Sequence, residues 1–382
     1  MWRTMSGIST GEGGAAAGAG DGLRVPWVLV RRVLALAAGI FLFVGALQLM
    51  KTGAASLGVL QSGSALVQNA LSTLGLGWLG ALLMLSGSPV AAAALALTAA
   101  GEATGGARGL TELEGFTMLT GSRLGAAFVV LAVAVVYALR AGSGGRREPL
   151  ATAVLALTAT AVVYVPTTIA GALLLEWPPY QDVTLGFPAQ LVDGIDFLYG
   201  GMNERAESLP AALVFLAGLG VLLAGFKLID AALPELDDAA VARRPAWLRR
   251  KWPMFGLGAG VGLVTMSVSV SLTILVPLVA RKVVRREYVL PYIMGASLTT
   301  LADTMVAAFA LDSAAAVRVL LAAVLPATAI TVLLLAFAYP LLWTVLWEAQ
   351  ARVTRTRTRL AAFTAGVLLV PLLLLGLAPL LA

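Results

Sequence analysis

The sequence contains no cysteine and no histidine. Disulfides, thiolate nucleophiles, haem ligation, the usual zinc sites and any histidine-based proton relay are excluded. Charge is scarce as well: Asp, Glu, Lys and Arg make up 12% of the chain, against about 25% in soluble domains. No Gly-x-x-x-x-Gly-Lys-Ser/Thr run occurs, so a phosphate-binding loop for ATP is missing. No paired acids converge in the apolar stretches, which argues against an enzyme. What is present is hydrophobic: 59% of 382 residues, with mean hydropathy +0.92. This is the composition of an all-α polytopic membrane protein, not of a soluble globular enzyme. The net charge of +6 sits in short Lys/Arg clusters between apolar runs. Such clusters mark loops facing a cytoplasm and give no reason to expect nucleic acid as a partner.

Residues 1–24 are rich in Gly, Ala and Ser and read as a disordered tail. Arg24, Arg31 and Arg32 then precede an apolar run from Val33 to Met50. Lys51-Thr52-Gly53 is a poor signal-peptide cleavage site, so this run reads as a retained first span. Apolar stretches at 115–140, 150–175, 209–235, 288–311, 314–346 and 360–381 each reach the roughly 20 residues that cross a hydrocarbon core. Two more, 76–100 and 254–280, are interrupted by Ser86-Gly87-Ser88-Pro89 and Thr265-Met266-Ser267-Val268-Ser269. An interrupted stretch is either a helix with a polar stripe or a re-entrant hairpin with a polar turn at mid-membrane.

Charge chooses between the two. Basic clusters stand at Arg140/Arg146/Arg147, at Arg243/Arg244/Arg249/Arg250/Lys251, at Arg281/Lys282/Arg285/Arg286 and at Arg352/Arg355/Arg357/Arg359. The segment 176–208 carries Arg205 as its sole basic residue and reads as external. Seven crossings with hairpins at 76–100 and 254–280 place every basic cluster inside, the N-terminus inside and the C-terminus outside. The chain then divides into the tail (1–24), a first transmembrane repeat (25–175), an external loop (176–208), a second repeat (209–346), and a basic cytoplasmic loop with a final span (347–382). The expected location is a cell inner or plasma membrane, multi-pass, with a cytoplasmic N-terminus.

The two halves resemble each other. FLFVGALQLM (41–50) matches VLLAGFKLID (221–230), with Gly45 against Gly225. Ser86 and Ser88 match Ser267 and Ser269, 181 residues on. FTMLTGSRLG (116–125) matches PYIMGASLTT around Gly121 and Gly295, 174 residues on. The shortfall falls in the Gly-rich insert Gly101–Gly109, which the second half lacks. The first unit begins inside and the second outside, which predicts an inverted-topology repeat with a site where the discontinuous helices meet.

These residues resemble the sodium-dependent phosphate cotransporter family. Its repeats each carry Gln-Ser-Ser-Ser at a hairpin tip and Gly-Ala/Ser-Asn-Ile-Gly-Thr in a broken helix. Met266-Ser267-Val268-Ser269 and Gly295-Ala296-Ser297-Leu298-Thr299-Thr300 fall on these motifs in the second half, and Pro277, Glu287 and Pro291 fall on matching positions. Leu85-Ser86-Gly87-Ser88 and Gly121-Ser122-Arg123-Leu124-Gly125-Ala126 fall on them in the first. Gln61-Ser62-Gly63-Ser64 looks closer to the first motif but has no repeat mate, and 52–75 reads as an amphipathic connector. Both motif glutamines are apolar here (Leu85, Met266), both asparagines are changed (Arg123, Ser297), and repeat 1 has Ala126 for threonine.

The resemblance implies a secondary transporter of an inorganic anion, with sodium-coupled phosphate symport as the form expected. Proton-coupled or sodium-independent transport of another anion is the alternative, as is a transport-inactive structural or regulatory homologue. Ser86, Ser88, Ser122, Arg123, Ser267, Ser269 and Ser297 are the candidate substrate ligands. Ser267, Ser269, Thr299, Thr300 and Asp303 are the candidate cation ligands, because a fixed charge at Arg123 repels sodium from repeat 1. Arg123 suits an oxyanion, or else pairs with Asp303 and holds the repeats together. Lys227 and Asp230, three apart on one helix, read as a local structural pair. No cofactor is expected beyond the coupling sodium. Partners are the bilayer and a small anion, and a homo-oligomer is compatible with the sequence.

Overall fold

Short polar side chains set the helix starts. Asn69 Oδ1 accepts from the Leu71 and Ser72 amides at 3.0 and 3.1 Å. Thr111 and Glu114 close a capping box, the Thr111 amide donating to Glu114 Oε2 at 2.9 Å. Ser313 Oγ accepts from the Ala316 amide at 3.1 Å. Each bond satisfies an amide that a helix start would otherwise leave open.

The computed structural model describes residues 27–54, 63–64, 66–140, 147–185, 189–232, 250–265, 271–272, 275, 279 and 288–380. Among them the regular structure is entirely helical. The first half holds α1 (Trp27–Ala54), α2 (Ala70–Met84), α3 (Ser88–Ala103), α4 (Glu112–Ala126), α5 (Phe128–Arg140) and α6 (Arg147–Glu176). The short α7 (Pro178–Gln181) and α8 (Ala189–Glu207) follow. The second half holds α9 (Ala211–Ala232), α10 (Lys251–Thr265), α11 (Val289–Thr299), α12 (Ala302–Ala310) and α13 (Ala314–Phe337). It closes with α14 (Tyr339–Thr354) and α15 (Arg357–Leu377).

Seven described helices are long and apolar enough to cross a membrane: 30–54, 112–136, 148–176, 211–229, 289–310, 314–337 and 357–380. The chain is an all-α, multi-pass membrane protein. Helices α2 and α3, of 15 and 16 residues, are about 22–24 Å long and fall short of the ~30 Å core.

Three boundaries differ from the sequence reading. The stretch 314–346 is not one span: the chain turns at Ala338, just before Pro340, and α14 starts there. The segment 176–208, expected to be an external loop, contains helices, α7 and α8, with Tyr199 of α8 donating from its hydroxyl to the Phe41 carbonyl at 2.8 Å. Gly121 and Gly125 do not break their helix. The interruption comes at Ala127, and its counterpart at Thr300–Leu301. Several expectations lie outside the described residues: the tail 1–24, Gln61-Ser62, the second hairpin tip with Ser267 and Ser269, Pro277 and Glu287, the basic residues 243–249 and 281–286, and the Asp230 side chain.

Polar contacts sort the helix ends onto two faces. On one face the end of α1 meets the end of α12, where Gln48 Nε2 and Lys51 Nζ each donate at 2.9 Å to the Ala310 and Leu311 carbonyls. There too the end of α3 meets the start of α13, the Ala315 amide donating to Glu102 Oε1 at 3.1 Å. Asn69 at the start of α2 donates to the Ala378 carbonyl just past α15 at 2.9 Å. On the opposite face Lys251, at the start of α10, donates to the Leu335 carbonyl near the end of α13 at 2.8 Å.

Helix pairs α2/α4 and α10/α11 pack on glycine so closely that a side chain would collide with backbone. A Cβ on Gly77 would overlap the Met118 carbonyl, and one on Gly121 the Leu74 carbonyl. In the second half a Cβ on Gly258 would overlap the Tyr292 carbonyl, and one on Gly295 the Phe255 carbonyl. Each second-half residue stands 181 or 174 positions after its first-half counterpart, the spacings of the sequence repeat.

Candidate functional site

The turn Leu85–Gly87 between α2 and α3 lies against the middle of the 112–136 span. A Cβ on Gly87 would come within 2.9 Å of both the Ala126 Cβ and the Ser122 carbonyl. Leu85 ends α2 in the left-handed conformation, φ 51°. The Ser86 amide returns to the Ala81 carbonyl at 3.2 Å, so the turn keeps its own backbone bonds.

Arg123 projects from α4 one turn before the interruption at Ala127 and is 3% exposed. Its guanidinium crosses to the second interruption. Nη1 donates to the Thr300 carbonyl at 3.3 Å, Nη2 donates to the Thr304 hydroxyl, and Nη2 stands 3.7 Å from Asp303 Oδ1. Asp303, also 3% exposed, sits in the first turn of α12, where a helix start favours an acid. Its Oδ1 accepts from the Thr304 amide at 2.5 Å and from the Thr304 hydroxyl at 2.8 Å. Thr299 and Thr300 hydroxyls donate at 3.1 Å to the Gly295 and Ser297 carbonyls. These bonds compete with the helix ladder just where α11 ends.

Three polar atoms of this region have no hydrogen-bond partner: Arg123 Nε, Asp303 Oδ2 and Ser297 Oγ. Ser297 is 6% exposed and lines a cavity of about 10 Å³ with Tyr164 and Thr331. That volume is close to the minimum for one water.

Of the residues expected at a site, the structure brings together Arg123, Thr300 and Asp303, with Ser297 joined to them by the Thr300 hydroxyl. Ser122 donates to the Leu119 carbonyl at 2.7 Å, within its own helix. Thr299 donates to the Ala259 carbonyl of α10 at 2.8 Å and stands outside the cluster. Ser86 is half-buried in the turn, and Ser88 is buried as the first residue of α3. One member was not singled out from sequence, Tyr164, whose hydroxyl donates to the Ser297 carbonyl at 3.1 Å. Tyr164 carried a readable signal. Tyrosine prefers the ends of spans, and this one lies near the middle of 148–176 beside Pro166.

A second polar region lies on the face where α1 and α3 end. Two cavities of about 420 and 580 Å³ open there and share Lys51 as a wall residue. Glu102 and Asp312 line the first, Gln48 and Glu207 the second. Nearby, Arg318 pairs with Glu112, Nε to Oε1 at 3.0 Å. The Tyr180 hydroxyl donates to the Arg318 carbonyl at 2.6 Å. Burial pushes that phenol well above its usual range, the Glu112 charge adds to the shift, and Arg318 opposes it. Comparison with protein-family models, with curated proteins and with solved structures gives no match to this chain.

Proposed function

We propose that the protein is a secondary active transporter of an inorganic oxyanion, with sodium-coupled phosphate symport as the form the sequence resemblance implies. In this reading 25–175 and 209–346 are inverted-topology repeats, each with a re-entrant hairpin and a broken span. The matched glycine contacts of α2/α4 and α10/α11, entered from opposite faces, support the repeat. The short lengths of α2 and α3, with their turn beside mid-span, support the first hairpin. The N-terminus is cytoplasmic, and the Lys251 face is the inner one.

One observation carries the reading. A buried guanidinium from one half reaches the interruption of the other half, and Arg123 Nε, Asp303 Oδ2 and Ser297 Oγ there remain without partners. Charges and orphaned donors inside a membrane span are costly and mark functional sites. The planar fork of Arg123 suits an oxyanion. Of the proposed cation ligands, Asp303 Oδ2 is open, whereas the Thr299 and Thr300 hydroxyls are engaged with carbonyls.

A second reading has its own observation. Arg123 and Asp303 are already paired, and the adjoining cavity is water-sized. That suits a permanent clasp in a transport-inactive homologue. Phosphate uptake into proteoliposomes separates the readings. Uptake that rises with an inward sodium gradient supports symport. Uptake indifferent to sodium moves the assignment to another coupling ion, and no uptake of phosphate or other oxyanions leaves the clasp.

A further inference from the structure

Helix α14 is tied at both ends to one face of the molecule. It follows α13, whose end meets Lys251, and it precedes α15, which runs to the opposite face and meets Asn69 just past its end. Both ends of α14 therefore lie on the Lys251 face. Its 16 residues, about 24 Å of helix, run along that face and do not cross the molecule. Leu342 and Leu346 turn inward and are buried.

The exposed side of α14 changes character along its length. It begins with Leu341 and Val345, 68% and 53% exposed, and continues with Glu348 and Arg352. Arg355 extends it, and Arg357 and Arg359 follow in the first turn of α15, all three exposed. Between the apolar and basic zones of the chain, Trp343 and Trp347 stack with ring centres 5.0 Å apart. The Tyr339 ring centre stands 5.7 Å from the Lys251 ammonium. Aliphatic side chains, then aromatic ones, then arginine is the order met on passing from hydrocarbon into the headgroup layer.

The arginines are poorly compensated within the protein. Glu348 is the sole acid from 338 to 382. It pairs with Arg352 at 2.8 Å, both side chains being exposed. Arg355, Arg357 and Arg359 form no ion pair among the described residues. The start of α15 carries no acid in its first turn, so the positive end of that helix adds to the charge of Arg357 and Arg359 and does not offset it.

We infer that the α14–α15 corner is a docking surface for phospholipid of net negative charge. Leu341 and Val345 meet the acyl chains, and the arginines meet the headgroup. Charge complementarity argues for this occupant: four arginines stand against one glutamate, and clusters of this kind beside a span attract anionic lipid. A zwitterionic headgroup brings no net charge to match them. A second copy of this chain would bring the same arginines against them. The surface requires that the chain lie in a bilayer and does not depend on the transport reading.

The chain has no cysteine, so a fluorophore on Thr344→Cys, an exposed position of α14, reports on this surface alone. The full chain carrying it is reconstituted in phosphatidylcholine vesicles. Quenching by brominated phosphatidylglycerol is compared with quenching by brominated phosphatidylcholine. Phosphatidylglycerol is expected to be favoured about tenfold at low salt, and the preference should fall toward unity near ~1 M salt. Each arginine at an anionic surface is worth about fivefold, so Arg355→Gln combined with Arg357→Gln should remove the preference. The salt titration with all arginines intact gives the same answer should that variant not fold. Equal quenching by the two lipids overturns the proposal, as does a preference indifferent to salt or to the arginines. Quenching by neither lipid would mean that protein, a second copy included, covers the surface, and overturns it as well.

Discussion

Arg123 and Asp303 lie side by side where water is excluded, and each makes the other tolerable. Removing one partner leaves an uncompensated buried charge, at a cost of about 3–5 kcal/mol, whereas removing both for apolar groups is often near neutral. Arg123→Met or Asp303→Leu alone should therefore lower the melting temperature in detergent sharply, and the double substitution should recover most of the loss. Phosphate affinity assigns the role. Arg123→Asn that folds but binds phosphate more weakly marks an anion ligand, while unchanged affinity with lost stability marks a clasp. Tyr180 gives a separate residue-scale expectation, outside the spans. Its folded-state value is raised above the ordinary 10.0, so the folded protein holds the proton after the unfolded chain has lost it. That stabilisation is complete below about pH 10 and is lost as pH rises further. Tyr180→Phe should flatten the alkaline limb of the melting-temperature profile, and an unchanged limb would remove Tyr180 from the account.

At the scale of elements, helix contacts here are made by backbone against backbone. Gly77→Ala and Gly258→Ala should each destabilise markedly, because the new methyl meets a carbonyl that cannot move away. Gly256→Ala and Gly366→Ala meet nothing within 4 Å, and should be neutral or raise the melting temperature, as alanine favours the helix by about 1 kcal/mol. The turn after α2 offers the reverse case. Leu85 holds φ 51°, a conformation that costs a non-glycine residue roughly 1–2 kcal/mol, so Leu85→Gly should not destabilise and should modestly stabilise.

Much of this level was legible in the sequence, because an apolar run of membrane length is a strong one-dimensional signal. All seven spans and the short pair α2–α3 stand close to where hydropathy puts them. The breaks were misplaced because glycine was read as a helix breaker, when Gly121 and Gly295 serve as seats for a neighbouring backbone. Helices α8 and α14 were missed because each is amphipathic and merges with a loop or an adjoining span. The Arg123–Asp303 pairing was legible as one of two options. The Thr304 bridge and the Tyr164 bond were not, since they depend on how three separate spans converge.

For the whole molecule, two sets of helix ends define two faces, and the basic residues decide which is inward. Lys251, Arg352, Arg355, Arg357 and Arg359 belong to the face where α10 starts and α14 ends. The 176–208 segment, with Arg205 as its one basic residue, belongs to the other. Lys and Arg near span ends favour the cytoplasmic side, so the orientation we propose puts the first face inward. The chain has no native cysteine, and single reporters can be placed without background. Asp193→Cys should react with an impermeant thiol reagent from outside intact cells, and Arg357→Cys only after the inner face is opened; the reverse pattern would invert the molecule. Neither reporter tests the hairpin, because two full crossings by α2 and α3 would return the chain to the same side. Ser86→Cys does. If α2 and α3 each crossed, their turn would emerge on the cytoplasmic face and label there readily. Beside Ser122 and Ala126 at mid-span, it should resist a bulky reagent applied from the cytoplasmic face. Labelling at the rate of Arg357→Cys would convert the hairpin into two spans and withdraw the inverted repeat along with it.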